Sequence, residues 1–245
     1  MRKFIAVLPL FMLTPLAAAE TAACFTREFA AQDIKAVKGD FSGSSLVLDE
    51  ATSSVKVSVS DYSVALCTAA ISLRDGVLTV EIKTKNSFTA AFEESCHAAV
   101  NISAPARAAS LDLQSVSGDI TINTGADLRA ETVSGSIAAR GVTGSVVLRS
   151  NSGDISGVLA DTAQVKTDSG KIDLAWSAVP AKGIIEAKSM SGDVALAFPA
   201  SAKGDVSGGT MSGDSEIEPS MLDTGSELKI KAKSVSGDIS VGYTK

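Results

Sequence analysis

The chain has 245 residues, with 28 acidic and 22 basic side chains and a formal net charge of −6, which gives room for one sizeable domain or two small ones and argues against a nucleic-acid partner. Hydrophobic residues make up 45% of it and charged residues 20%, enough apolar material for a core and no basis for disorder. Aromatic residues are only 4% and there is a single His, so sugar-stacking platforms, aromatic cages and imidazole chemistry have little to draw on.

Arg2 and Lys3 precede an apolar stretch from Phe4 to Leu13, followed by Thr14, Pro15 and the small residues Ala17, Ala18 and Ala19. This pattern predicts a secretory signal peptide over residues 1–19, its apolar core being about half the roughly 20 residues a membrane span needs. The expected destination is outside the cytoplasm: the periplasm first, with the cell surface or extracellular space also open. A lipoprotein reading would use Cys24, behind Ala22 and Ala23. Thr21 and the charged Glu20 fit that approach poorly.

Residues 20–104 read as a β-rich region that begins or caps a stack formed by the C-terminal half. Strands are expected at 45–48, 55–59, 77–83 and 98–103, and Asp75 with Gly76 is a turn signal. Gly39 with Asp40, and Ser42 with Gly43, look like degenerate corners of the C-terminal repeat. Three cysteines in an exported chain allow at most one internal pair. Cys67 and Cys96 are the candidates because they flank the strand at 77–83, whereas Cys24 falls in a segment expected to fray; three reduced, packed cysteines are the other reading. His97 beside Cys96 is a poor base–nucleophile pair, because adjacent strand residues point to opposite faces and a disulfide would consume the thiol.

Pro105 marks the junction to residues 105–245, where a tetrapeptide theme recurs: SGDI at 117, SGSI at 134, SGDI at 152, SGKI at 169, SGDV at 191, SGDS at 212 and SGDI at 236. The glycines Gly118, Gly135, Gly153, Gly170, Gly192, Gly213 and Gly237 are 17 to 24 residues apart, a solenoid spacing. Two residues after each stand Ile120, Ile137, Ile155, Ile172, Val194, Ser215 and Ile239; the columns seven and five residues before are also mostly apolar and alternate with polar ones. Period-two alternation predicts strands with one buried face. The expectation is an all-β parallel β-solenoid with two short strands per coil, a glycine of positive φ at the corner, and successive copies stacked about 4.8 Å apart. The Ser or Thr three residues before each glycine shares the inward parity, so its hydroxyl should bond within the stack. Ser215, with Gly208 and Gly209 before it, predicts a local irregularity.

The residue after the glycine is Asp119, Ser136, Asp154, Lys171, Asp193, Asp214 or Asp238. Two readings are open: a calcium-binding acidic edge, or Asp side chains accepting backbone N–H groups at a turn, with Ser136 and Lys171 relieving repulsion. The glycine-rich nonapeptide of calcium β-rolls is missing, which favours the second and leaves no metal or cofactor expected. Trp176 reads as a corner or edge anchor rather than a sugar platform.

The VKVSVSD stretch at 55–61, GVLTVEIK at 76–83, VNISAPA at 100–106 and the SGD-type copies to the C-terminus resemble the bacterial putative-adhesin family of β-strand-repeat proteins, a domain family of unknown function. The resemblance implies an exported β-solenoid and brings no catalytic residues. A ladder of like turn residues also lacks the unlike environments that split two carboxylate pKa values for acid–base work. The expected function is therefore a non-enzymatic adhesin-like or envelope scaffold module that binds a cell-envelope or surface protein or polysaccharide, with no membrane insertion after signal removal. Periplasmic envelope-stress sensing with a membrane partner is the alternative, and a polysaccharide-active enzyme the remote one.

Overall fold

The computed structural model describes residues 23–51, 54–85, 96–105 and 110–244; the expected signal peptide lies outside these. Among the described residues there are strands and two short 3-10 turns, Ala31–Asp33 and Pro219–Met221, but no α-helix. The strands, numbered in chain order, form two sheets. The first runs β1 (Ala23–Ala30), β4 (Ser54–Tyr62), β7 (Ala99–Pro105), β3 (Ser45–Ala51), β9 (Ile120–Ile122), β11 (Ile137–Val142), β13 (Ile155–Leu159), β15 (Ile172–Trp176), β17 (Val194–Phe198), β21 (Ile239–Tyr243) and β19 (Ser215–Ile217). The second runs β18 (Asp205–Gly209), β20 (Leu228–Lys233), β16 (Gly183–Ser191), β14 (Ala163–Ser169), β12 (Val146–Ser152), β10 (Asp127–Ser134), β8 (Ser110–Ser115), β2 (Ala36–Phe41), β6 (Val77–Thr84) and β5 (Cys67–Arg74).

Alternation along each strand sets the core. In β14, Ala163, Val165 and Thr167 are buried while Gln164 and Lys166 face solvent, and in β15 Ile172, Leu174 and Trp176 are buried. Parallel register keeps like with like across strands: Ile137 pairs with Ile120 and Ile155, Ile155 with Ile172, Ile172 with Val194, and Val194 with Ile239. The apolar side chains of both sheets thus share one interior. A one-residue slip of any strand would turn its whole buried set to water.

From β8 to β17 the chain alternates between the sheets, and each strand from β8 to β15 pairs with the strand two places on. Stacking in chain order fails at both ends, which corrects the expectation of successive layers. β20 and β21 sit between β16 and β17 on one side and β18 and β19 on the other. β2 and β3 likewise lie inside β6 and β7. The C-terminal exchange has a packing reason. Gly208 and Ser215 are exposed and Val206 is only half-buried, so this segment could not fill a place with neighbours on both sides. Leu228, Ile230, Ala232, Ile239 and Val241 fill it completely.

The N-terminal end is built differently. β5 pairs antiparallel with β6 through a turn in which Asp75 and Gly76 have φ 52° and 81°, a two-residue hairpin of the favoured twist. β4 and β1 extend the first sheet antiparallel beyond β7. Cys24 therefore lies on a paired strand and is exposed, not in a frayed tail. Arg27 of β1 donates to the Ile71 carbonyl of β5 at 2.9 Å, tying the two sheets across this end. β2 and β3 pair with β8 and β9, so residues before and after 104 share both sheets.

Candidate binding surface

The corner glycines stack on one another. A Cβ added to Gly135 would meet the Gly118 carbonyl oxygen at 2.4 Å, one on Gly153 that of Gly135 at 2.0 Å, one on Gly170 that of Gly153 at 2.3 Å, and one on Gly192 that of Gly170 at 2.2 Å. The series continues through Gly237 over Gly192 at 2.5 Å and Gly213 over Gly237 at 2.4 Å, while Gly118 meets Ser44 at 2.3 Å. Positive φ is not the shared cause: Gly153, Gly170, Gly192, Gly213 and Gly237 have it, Gly118 and Gly135 do not. Close approach of backbone to backbone is the requirement common to all seven.

Neighbouring polar groups serve the same corner. Ser150, Thr167, Ser189 and Ser234 donate their hydroxyls to the carbonyls of Gly135, Gly153, Gly170 and Gly192 at 3.2, 3.2, 3.2 and 3.0 Å. The Oγ atoms of Ser115 and Thr132 are buried without a partner among the described residues. The acidic column is a backbone clamp. Asp119, Asp154, Asp193 and Asp238 accept the N–H groups of Ser136, Lys171, Asp238 and Asp214 at 2.8 to 2.9 Å, the corresponding residue of the neighbouring copy each time. Lys171 pairs with Asp173 at 2.8 Å, and this bond, with the charges of Asp173, Asp193 and Asp154, holds its ammonium above its ordinary pKa.

The remaining sequence candidates are also structural. Cys67 and Cys96 form a disulfide, which removes any thiol beside His97; that imidazole's Nδ1 lies 3.1 Å from the Gly43 carbonyl. Trp176 is buried, stacks on Phe198 at 4.6 Å and donates Nε1–H to the Asp161 carbonyl at 2.8 Å. Among the described residues no three His, Cys, Asp or Glu side chains gather as a metal site.

The surface feature with binding character lies on the outer face of the second sheet, toward its C-terminal end. An open groove of about 430 Å³ is lined by Met190, Met211 and Val235, with Lys166, Lys188 and Lys233 along it. The three apolar residues are 55%, 86% and 45% exposed, and neighbouring large exposed hydrophobics call for an explanation where scattered ones do not. Register builds the basic row: Arg149 pairs with Lys166, Lys166 with Lys188, and Lys188 with Lys233. Four cations then succeed one another at about 4.8 Å intervals on a chain that is acidic overall. Glu131, Asp168 and Glu186 neutralise Arg149, Lys166 and Lys188 in part, at 3.2, 3.0 and 2.7 Å. In the glycine alignment the groove is signalled by the outward columns four and two residues before the glycine; the inward columns, which define the core, carry no trace of it.

Residues 33–245 match the Toastrack DUF4097 family, and the chain belongs to it. No curated protein matches the sequence. Among solved structures, a putative adhesin from Bacteroides fragilis superposes with a TM-score of 0.54 at 14% identity, over 91% of this chain and 99% of that one. A putative cell adhesion protein from Clostridium sporogenes has a TM-score of 0.42 at 10% identity, over 91% of this chain and 100% of that one. A putative lipid binding protein from Parabacteroides distasonis has a TM-score of 0.41 at 16% identity, over 91% and 97%. The first of these likenesses is one of fold.

Proposed function

We propose that this Toastrack family member is an exported, non-enzymatic binding module of the cell envelope, adhesin-like in role, that holds its ligand on the outer face of the second sheet. One observation carries the reading: on an acidic chain, three exposed apolar side chains and a row of three lysines converge in one groove. The basic N-terminal residues and apolar core of 1–19 support export, as does the Cys67–Cys96 disulfide, a bond that persists outside reducing compartments. The fold neighbour from Bacteroides fragilis, a putative adhesin, supports the adhesin-like role. In this reading each glycine-marked copy is one two-strand coil of a β-solenoid, residues 105–245 are the repeats, and 20–104 begin and cap the stack. Regularity then serves presentation, since a rigid rod needs no mobile catalytic parts.

The test is cell fractionation with protease treatment of intact cells, together with attachment of purified protein to envelope preparations. Protection or cleavage outside the cytoplasm, and attachment weakened by Met211→Ser and Lys233→Gln, are expected; a cytoplasmic protein, or attachment indifferent to both substitutions, overturns the proposal. A second reading, sensing through a membrane partner, draws on β18 and β19, which each pair on one side only and offer an edge for strand addition.

A further inference from the structure

Resting on the proposed binding role, we infer that the groove docks on an anionic lipid surface, with Met190, Met211 and Val235 entering the headgroup region and Lys166, Lys188 and Lys233 meeting lipid phosphates. No aromatic side chain lines the groove, so the stacking that holds sugar rings has nothing to work with. The groove is lined by thioether, isopropyl and lysine side chains, with Thr167, Ser189, Thr210 and Ser234 among them. That is the composition of a peripheral membrane contact, in which apolar residues partition at the acyl boundary while cations stay with the phosphates.

Charge complementarity identifies the lipid. The chain carries a net −6 and would be repelled by an anionic bilayer if its charge were evenly spread. Arg149, Lys166, Lys188 and Lys233 instead line up across four strands. Lys233 has no carboxylate within ion-pair distance among the described residues. Met211, the most exposed large hydrophobic residue described, stands in a bend two residues beyond the outermost strand of this sheet, β18. The contact is peripheral: no helix among the described residues is long and apolar enough to cross a membrane.

The test is cosedimentation of the purified protein with phosphatidylglycerol vesicles against phosphatidylcholine vesicles. Binding to the first only, released by high salt, is expected. Lys188→Gln and Lys233→Gln should each lower the partition coefficient about fivefold, and Met211→Ser roughly tenfold. Val116→Ser, in the same column beside β8 and outside the groove, should leave it unchanged. Lys233, Met211 and Val116 are exposed and Lys188 is half-buried, and an unaltered thermal midpoint verifies that each variant folds. No binding to phosphatidylglycerol, equal binding to both lipids, or binding indifferent to the groove variants overturns the inference. If vesicle binding fails while the same variants still weaken attachment to envelope preparations, the groove is a binding surface for a different ligand and only the lipid assignment falls. If they change neither, the proposed function falls as well.

Discussion

At the N-terminal end of the two sheets, β5 lies antiparallel on β6, β4 and β1 lie antiparallel beyond β7, and a disulfide and the Arg27–Ile71 bond join the sheets. At the C-terminal end the sheets stop at β18 and β19, parallel strands whose side chains are largely exposed. Of the two ends, one is sealed by covalent and antiparallel structure and the other by placing the poorest copy outermost. A stack of strands needs both kinds of finish, because an interior copy has neighbours on two sides and an end copy on one. The sealed end is built for permanence. The open end leaves Met211 and the lysine row facing outward.

Breaking the middle should cost most. Gly170→Val sets a side chain against the Gly153 carbonyl oxygen, 2.3 Å from the new Cβ, and is expected to cost about 4 kcal/mol or prevent folding. Gly209→Ala, at the open end with nothing within 4 Å of its Cβ, should stay within about 0.5 kcal/mol. Chemical denaturation of the pair measures the contrast, and equal losses would show that the corner spacing is not what demands glycine.

Replacing Cys67 and Cys96 together by Ala should lower stability by about 3 kcal/mol. The loss should appear as faster hydrogen exchange in β5, β6 and β7, with β20 and β21 little changed; a uniform rise along the stack would contradict a local seal. Ile172→Ala, deep in the stack, should cost about 3 kcal/mol, and Ile217→Ala on the outermost strand less than about 1 kcal/mol.

Smaller effects sharpen the picture inside the stack. Thr167→Val removes a buried hydroxyl that bonds to Gly153 and should cost about 1 kcal/mol, whereas Thr132→Val removes one without a partner and should be neutral or stabilising. Lys171 contributes least. Its raised folded-state pKa means that its contribution is complete below the ordinary lysine value and fades as pH rises through the folded one. Lys171→Ala should therefore flatten the alkaline limb of the stability curve by at most about 0.5 kcal/mol, as read by thermal melts from neutral to alkaline pH.

Much of this architecture is legible in the residues. Alternation in segments such as Ala163–Ser169 specifies a strand with one buried face whatever its partners, and the Asp75-Gly76 pair specifies a hairpin turn, because both are local consequences of backbone geometry. The Cys67–Cys96 pairing is legible from the strand they flank. The Asp column is legible only as two alternatives, because the clamp depends on the N–H groups of the neighbouring copy, which lie 2.8 to 2.9 Å from its carboxylates. The strand at Ala23–Ala30 is not legible in this way, since its pairing with β4 joins residues about thirty positions apart.

By itself, then, the order of amino acids determined the strand type, the buried columns and the spacing of the corners, all of which stem from period-two side-chain geometry and the steric smallness of glycine. Only the folded chain decided which copy sits beside which. That choice compares how well whole segments fill an interior place, and so set Ile230 and Ile239 inside and Val206 and Ser215 at the edge. The groove is a product of the same decision, because Lys188, Lys233, Met190, Val235 and Met211 become neighbours only when β20 enters between β16 and β18.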